Sequence, residues 1–203
     1  MPREDLRQLI HASMCAWALL FPWLGKAGAI ALGAVAVLFN VFVFPRLPIG
    51  RTVSREGDRR WTGIQWYPVA VLGLVVLLPL PLAAGGWGVL AAGDAASNVV
   101  GRRLGRRNPL PWNPGKSWAG VAGFLVAAFP VAYVLMSANL AWGDPRYLDN
   151  WEHVFPALVV AAFAGAAGGA LVESLPLRLD DNLTVAAAAG ATLYAASHAA
   201  GLP

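Results

Sequence analysis

Asp94 stands inside an apolar run, residues 87–100, of the kind that crosses membranes. An unpaired carboxylate there costs at least ~2.5–3.5 kcal/mol, so it is normally aimed at a cavity, a partner or an ion. Asn98 follows four residues on and Gly101 seven on, which in a helix puts all three on one face, with Ser97 and Gly93 beside them. Carboxylate and amide oxygens suit a hard cation such as Mg²⁺, which takes one or two carboxylates and completes its shell with water and substrate phosphate. Asp94 and Asn98 are therefore the candidate metal ligands. The plainer alternative is a buried aspartate paired with a neighbouring arginine for helix packing.

Directly after this face comes GRRLGRRNPLPWNPGKSWAG, with five positive charges and no acid between Arg102 and Lys116. Such a stretch is either a polyanion site or an anchor for anionic headgroups. Gly115-Lys116-Ser117 resembles the end of a Walker A motif, but Leu110 stands where that motif needs its first glycine, so this is not a P-loop. What remains is Lys116, Ser117 and Gly120 at a helix start, where amides and dipole favour a phosphate; Ser117 has the alternative role of N-cap. Arg102, Arg103 and Arg106 complete the candidate phosphate-binding set. A second polar cluster follows apolar residues 154–172: Glu173, then Asp180, Asp181 and Asn182. Asp181 or Asn182 could be a helix cap only, a role not open to Glu173. Oxygen ligands for Mg²⁺, cations for a nucleotide's phosphates and a carboxylate to orient a hydroxyl are what phosphoryl transfer asks for. Asp94, Asp181 and Glu173 are the candidate catalytic carboxylates, and Asn182 joins Lys116 on the nucleotide side.

The elements that must position these groups are membrane helices. Hydrophobic residues make up 58% of the chain and charged residues 13%, with a mean hydropathy of +0.57, against about 25% charge in soluble domains. Seven apolar runs recur, over residues 9–24, 27–44, 67–84, 87–100, 118–141, 154–172 and 183–202. The expectation is an all-α, polytopic bundle of about seven transmembrane helices in one domain, 1–203, with its first run retained. Residues 87–100 are short for a span and must extend into residues 101–105, tilt or stop short, since Pro79 and Pro81 discourage backward extension. If all seven cross, Arg3, Arg7, Arg46, Arg51, Arg55, Arg59, Arg60, Arg102, Arg103, Arg106, Arg107, Lys116 and Arg178 fall on one side, and only Lys26 and Arg146 on the other. The positive-inside rule then puts the N-terminus in the cytoplasm and the C-terminus outside. The basic pI of 9.7 thus reports sidedness and membrane lipids, with no nucleic acid as partner. Richness in Ala, Gly, Arg and Pro suggests a prokaryotic plasma membrane. Cys15, the single cysteine, has no role beyond packing.

The motifs GDAASNVVGRRLGR (Gly93 to Arg106), GKSWAG (Gly115 to Gly120) and ESLPLRLDDNLTV (Glu173 to Val185) make the chain resemble the CTP-dependent lipid kinase family that includes dolichol kinase, phytol kinase and yeast-type diacylglycerol kinase. RQLIH (Arg7 to His11) and Tyr67-Pro68 are weaker matches, and Ala186 stands where the family more often has proline. The resemblance implies CTP as phosphoryl donor, Mg²⁺ as cofactor and a long-chain lipid alcohol (polyprenol or dolichol, phytol, or diacylglycerol) as acceptor. His11 shares a helix face with Arg7 near the cytoplasmic end. Two other classes compete: a phosphatidate cytidylyltransferase-like enzyme making a CDP-lipid, and a small transporter or scaffold that uses Asp94 for coupling or packing.

Overall fold

The computed structural model describes residues 3–48, 50 and 63–202, with only the backbone of Arg3 and Arg106. Arg51, Arg55, Arg59 and Arg60, four members of the expected basic side, lie outside the described residues. Helix α1 (Arg3–Ser13) runs through a 3₁₀ stretch (Met14–Leu20) into α2 (Phe21–Leu38). The chain reverses inside α2 at Gly25, where φ is +64° and only glycine is comfortable. Contacts on either side run in opposite order. His11 lies on Tyr67 and Lys26 reaches the Leu78 carbonyl, whereas beyond Lys26 it is Gly33 that meets Leu72 and Asn40 that returns to the level of Gly63. The apolar stretch Glu4–Arg46 is thus two passes, in keeping with the break between the first two apolar runs.

Next come α3 (Gly63–Leu77), α4 (Leu80–Gly88), a π-helical turn (Val89–Gly93) and α5 (Asp94–Leu104). The junctions on both sides of the π turn keep right-handed helical angles, so residues 80–104 form one rod of about 37 Å, enough for a hydrocarbon core near 30 Å. This corrects the expected boundary between the third and fourth runs. The break falls at Leu78–Pro79, not at Gly85-Gly86, and the fourth span extends backwards past Pro81 as well as forwards. Proline lacks the N–H that an interior position needs, but a first helical turn leaves its N–H groups unbonded anyway, so Pro79 and Pro81 start the rod. Gly85 and Gly86 stay helical because Met136, Leu74 and Leu193 fill the space beside them.

A two-stranded antiparallel ribbon, β1 (Pro109–Leu110) and β2 (Asn113–Ser117), interrupts the helices before α6 (Trp118–Gly143). The short α7 (Arg146–Asp149), then α8 (Trp151–Ser174) and α9 (Asp181–Ala199), complete the described chain. Together with the two N-terminal passes, α3 and the 80–104 rod, α6, α8 and α9 make a seven-pass all-α membrane bundle. Its centre is Phe124, Leu90, Met136, Leu158 and Leu193, all fully buried, while Leu77, Val126 and Trp23 face outward. In lipid that outward apolar surface has no hydrophobic reason to collapse, and contact comes from small residues. A Cβ on Gly165 would sit 2.5 Å from Leu193 Cγ, so α8 and α9 approach as closely as glycine permits. Arg7, Arg102, Arg103, Lys116 and Arg178 gather at the end of the bundle that holds Asp94; Lys26 and Arg146 sit at the opposite end.

Candidate active site

Asp94 opens α5 immediately after the π turn, and Gly93 before it is pressed by Phe124, whose Cζ would lie 2.5 Å from an added Cβ. The expected helix face forms. Asn98 Nδ2 donates to Asp94 Oδ1 at 3.0 Å and to the Asp94 carbonyl at 3.2 Å. No arginine reaches Asp94 among the described residues; its Oδ2 faces His11 Nε2 at 3.5 Å, and that nitrogen is buried with no hydrogen-bond partner. The His11 ring leans on Tyr67, with centroids 4.2 Å apart. The Tyr67 hydroxyl donates to the His11 carbonyl at 3.2 Å and accepts from Trp87 Nε1 at 2.7 Å.

Lys116 lies on β2, one residue before the helix cap, and reaches across to two carboxylates. Its ammonium donates to Glu173 Oε1 and, at 3.0 Å, to Asp181 Oδ2. Burial by itself would lower the Lys116 pKa, but the two carboxylates outweigh it and hold the amine above its ordinary 10.5. Glu173, in the last turn of α8, is only 3% exposed, and its Oε2 is buried without a partner. The Ser97 hydroxyl, on α5, lies 3.4 Å from Glu173 Oε1 and 3.2 Å from the Asp94 carbonyl, which ties the two clusters together. Asp180, not Asp181 or Asn182, caps α9: its Oδ1 accepts from the Asn182 backbone N–H at 3.0 Å and from Asn182 Nδ2 at 2.8 Å. Asp181 is thereby left to pair with Lys116. The ribbon is held over this end of the bundle by Trp112 Nε1 and Asn113 Nδ2, which both donate to the Ser174 carbonyl, at 3.1 and 3.2 Å.

Beside Asp94 a cavity of about 570 Å³ opens between the two N-terminal passes and α3. His11, Asp94, Gly63 and Asn182 line its polar end, and Phe21, Ala29, Val71, Val75 and Trp87 its apolar interior.

No family model matches the chain, and no solved structure matches it significantly. Among curated proteins it is 30% identical to a phytol kinase of Synechocystis over 97% of this chain and 81% of that protein. The chain belongs to the phytol and polyprenol kinase family. It is also 34% identical to a probable phytol kinase 2 of Oryza sativa, over 88% of this chain and 62% of that protein, and 30% identical to a farnesol kinase of Arabidopsis thaliana, over 89% and 61%. The chain thus spans about three fifths of the length of these two chloroplastic members of the family.

Of the residues singled out from sequence in this kinase-family chain, Asp94 with Asn98, and Lys116 with Glu173 and Asp181, come together, and Asn182 lines the polar end of the cavity. Ser117 is 7% exposed and its Oγ accepts from the Gly120 N–H at 3.1 Å, so it serves as the N-cap of α6. Arg102 and Arg103 point to Asp5, at 2.7 and 3.2 Å, away from Asp94. The Arg106 side chain lies outside the described residues. Asp5, Trp112 and Asn113 are not legible as site residues, since an acid near a chain start and polar groups in a turn carry no signal of a partner 60 to 100 residues away. Among the described residues no three His, Cys, Asp or Glu side chains form a metal cluster. Mg²⁺ needs none, because phosphate and water complete its shell.

Proposed function

We propose that this protein is a lipid-alcohol kinase, transferring the γ-phosphoryl group of CTP to the hydroxyl of a long-chain alcohol at the cytoplasmic face of a membrane. The observation that carries the reading is the apolar cavity ending on Asp94 and His11, joined through Ser97 to the Lys116 cluster. An alcohol with its tail in that cavity has its hydroxyl at Asp94. Lys116 has three N–H donors, two of them engaged by Glu173 and Asp181, and the third is left for a phosphate oxygen. In the reaction the alcohol oxygen bonds to the γ-phosphorus, the bond to the β-phosphate oxygen breaks, and the alcohol's proton passes to the Asp94 side of the site. CDP leaves.

The charge balance of the site favours Mg²⁺. Glu173 and Asp181 already hold Lys116, Ser97 links Glu173 to Asp94, and a polyphosphate approaches such a group of carboxylates readily only with a bridging divalent cation. Asp94 and, with its Nδ2 already turned to the carboxylate, the Asn98 amide oxygen are the donors that fit, and the ion would supply charge neutralisation for the transferring phosphoryl. The relatives named for phytol and farnesol support an isoprenoid alcohol as acceptor, and the three motifs support CTP. Arg102 and Arg103 hold Asp5 through one nitrogen each, which leaves further guanidinium N–H groups for the nucleotide.

Purified protein given CTP labelled at the α or the γ phosphorus tests the reading. Label should reach phytol or farnesol from the γ position alone. Lipid labelled from the α position would assign the protein to CDP-lipid synthesis instead, and no label from either would return it to the transporter or scaffold class.

A further inference from the structure

The cavity has a firm floor below its polar end but is not closed along its length. Tyr67 to Val75 is eight residues of α3, and Asp94 to Trp87 seven of the rod, so polar end and floor stand about 10–12 Å apart at a rise of ~1.5 Å per residue. An extended hydrocarbon with bonds of ~1.5 Å advances about 1.3 Å per bond, so this stretch takes roughly eight or nine bonds in line. The floor is firm: Phe21 and Val75 are each 1% exposed, and Phe21 stacks on Trp87 with centroids 6.0 Å apart. The side is different. Met14 and Trp17 on the first pass, and Val35 and Phe39 on the second, line the cavity and are also 36%, 50%, 62% and 41% exposed on the flank of the bundle that meets lipid. Ala36, between them, also lines the cavity and is half-buried.

We propose that this slot between the two N-terminal passes is a lateral portal through which the distal part of a long acceptor's tail stays in lipid during reaction. The inference rests on the lipid-alcohol kinase reading. The occupant is set by continuity: a single passage joins the carboxylate end, where a hydroxyl is bonded, to an apolar opening at membrane depth. Only the first eight or nine bonds of the acceptor are then read by protein, and tails longer than that differ only in how much hydrocarbon remains outside.

The test is a ladder of geraniol, farnesol, geranylgeraniol and phytol, each at the same mole fraction in nanodiscs, with the intact protein and its Ala36→Phe variant. Geraniol fits wholly inside; the other three must pass the slot. In the unaltered protein kcat/KM should stay within about threefold from farnesol to phytol, since the extra carbons gain no pocket contact. The added phenyl ring of Ala36→Phe narrows the slot and should lower kcat/KM for phytol by about tenfold or more while sparing geraniol, whose turnover also reports a folded variant. A drop of tenfold between farnesol and phytol in the unaltered protein would mean a closed pocket and overturn the portal. So would a variant that loses geraniol and phytol equally, or neither. If no alcohol is phosphorylated by either protein, the kinase reading itself falls.

Discussion

Removing Lys116 should destabilise the protein more than it disturbs any local fold, because it strips the partner from a carboxylate with nowhere to go. Glu173 is 3% exposed, one of its oxygens already lacks a partner, and without Lys116 the other would keep only the long 3.4 Å contact with Ser97. Breaking a buried ion pair from one side costs ~3–5 kcal/mol. The Lys116 side chain is 31% exposed and Asp181 46% exposed, so water reaches part of the cluster and the lower bound, about 3 kcal/mol, applies to Lys116→Met. Glu173→Gln should cost only about 1 kcal/mol, since Lys116 keeps Asp181 and a neutral amide needs less solvation. The double variant should then recover about 2 kcal/mol relative to Lys116→Met while all three lack kinase activity. Unfolding midpoints in one detergent, read as a double-mutant cycle, check this against phosphorylation of phytol in the same preparations. Additive losses, with the double variant less stable than Lys116→Met, would refute an uncompensated Glu173 charge as the cause.

Ser117→Ala should cost about 1 kcal/mol in thermal unfolding through loss of the α6 cap, yet leave turnover within a few-fold, because its hydroxyl serves the helix and not the phosphate. On the kinase reading, Asp94→Asn should abolish phosphorylation, and Asn98→Ala should raise the Mg²⁺ concentration for half-maximal rate by roughly tenfold; chelation should stop phosphorylation by the native protein, and an unchanged Mg²⁺ requirement in Asn98→Ala would exclude Asn98 as a ligand. Lys116 has its pKa raised in the folded protein above the ordinary 10.5, so its contribution to stability is fully present below that value and is lost only as pH rises through the higher folded value. The stability gap between the native protein and Lys116→Met should therefore persist to about pH 10 and narrow only above it, as unfolding midpoints measured across that range will test.

Much of the bundle is legible because lipid imposes a simple rule: every span needs about twenty apolar residues with its backbone satisfied internally. The runs over 118–141 and 154–172 correspond to α6 and α8 almost residue for residue. The boundary near Pro79 is hidden because apolar content is continuous across it, and only packing of Gly85 and Gly86 against Met136 and Leu193 keeps the helix going through two glycines. The ribbon before α6 is hidden too, as seven residues of strand among prolines and glycines carry no alternating pattern.

The sequence by itself determined that this is a membrane bundle with its cations at one end, and that Asp94 and Asn98 share a face, since helical spacing is a local property. Tertiary structure alone decided which carboxylate is paired and which is left for chemistry. Lys116 meets Glu173 and Asp181 over 57 and 65 residues, while His11 faces Asp94 from another pass. No local rule sets those distances; they follow from how α5, α8, α9 and the N-terminal hairpin pack, which depends on the small residues between them.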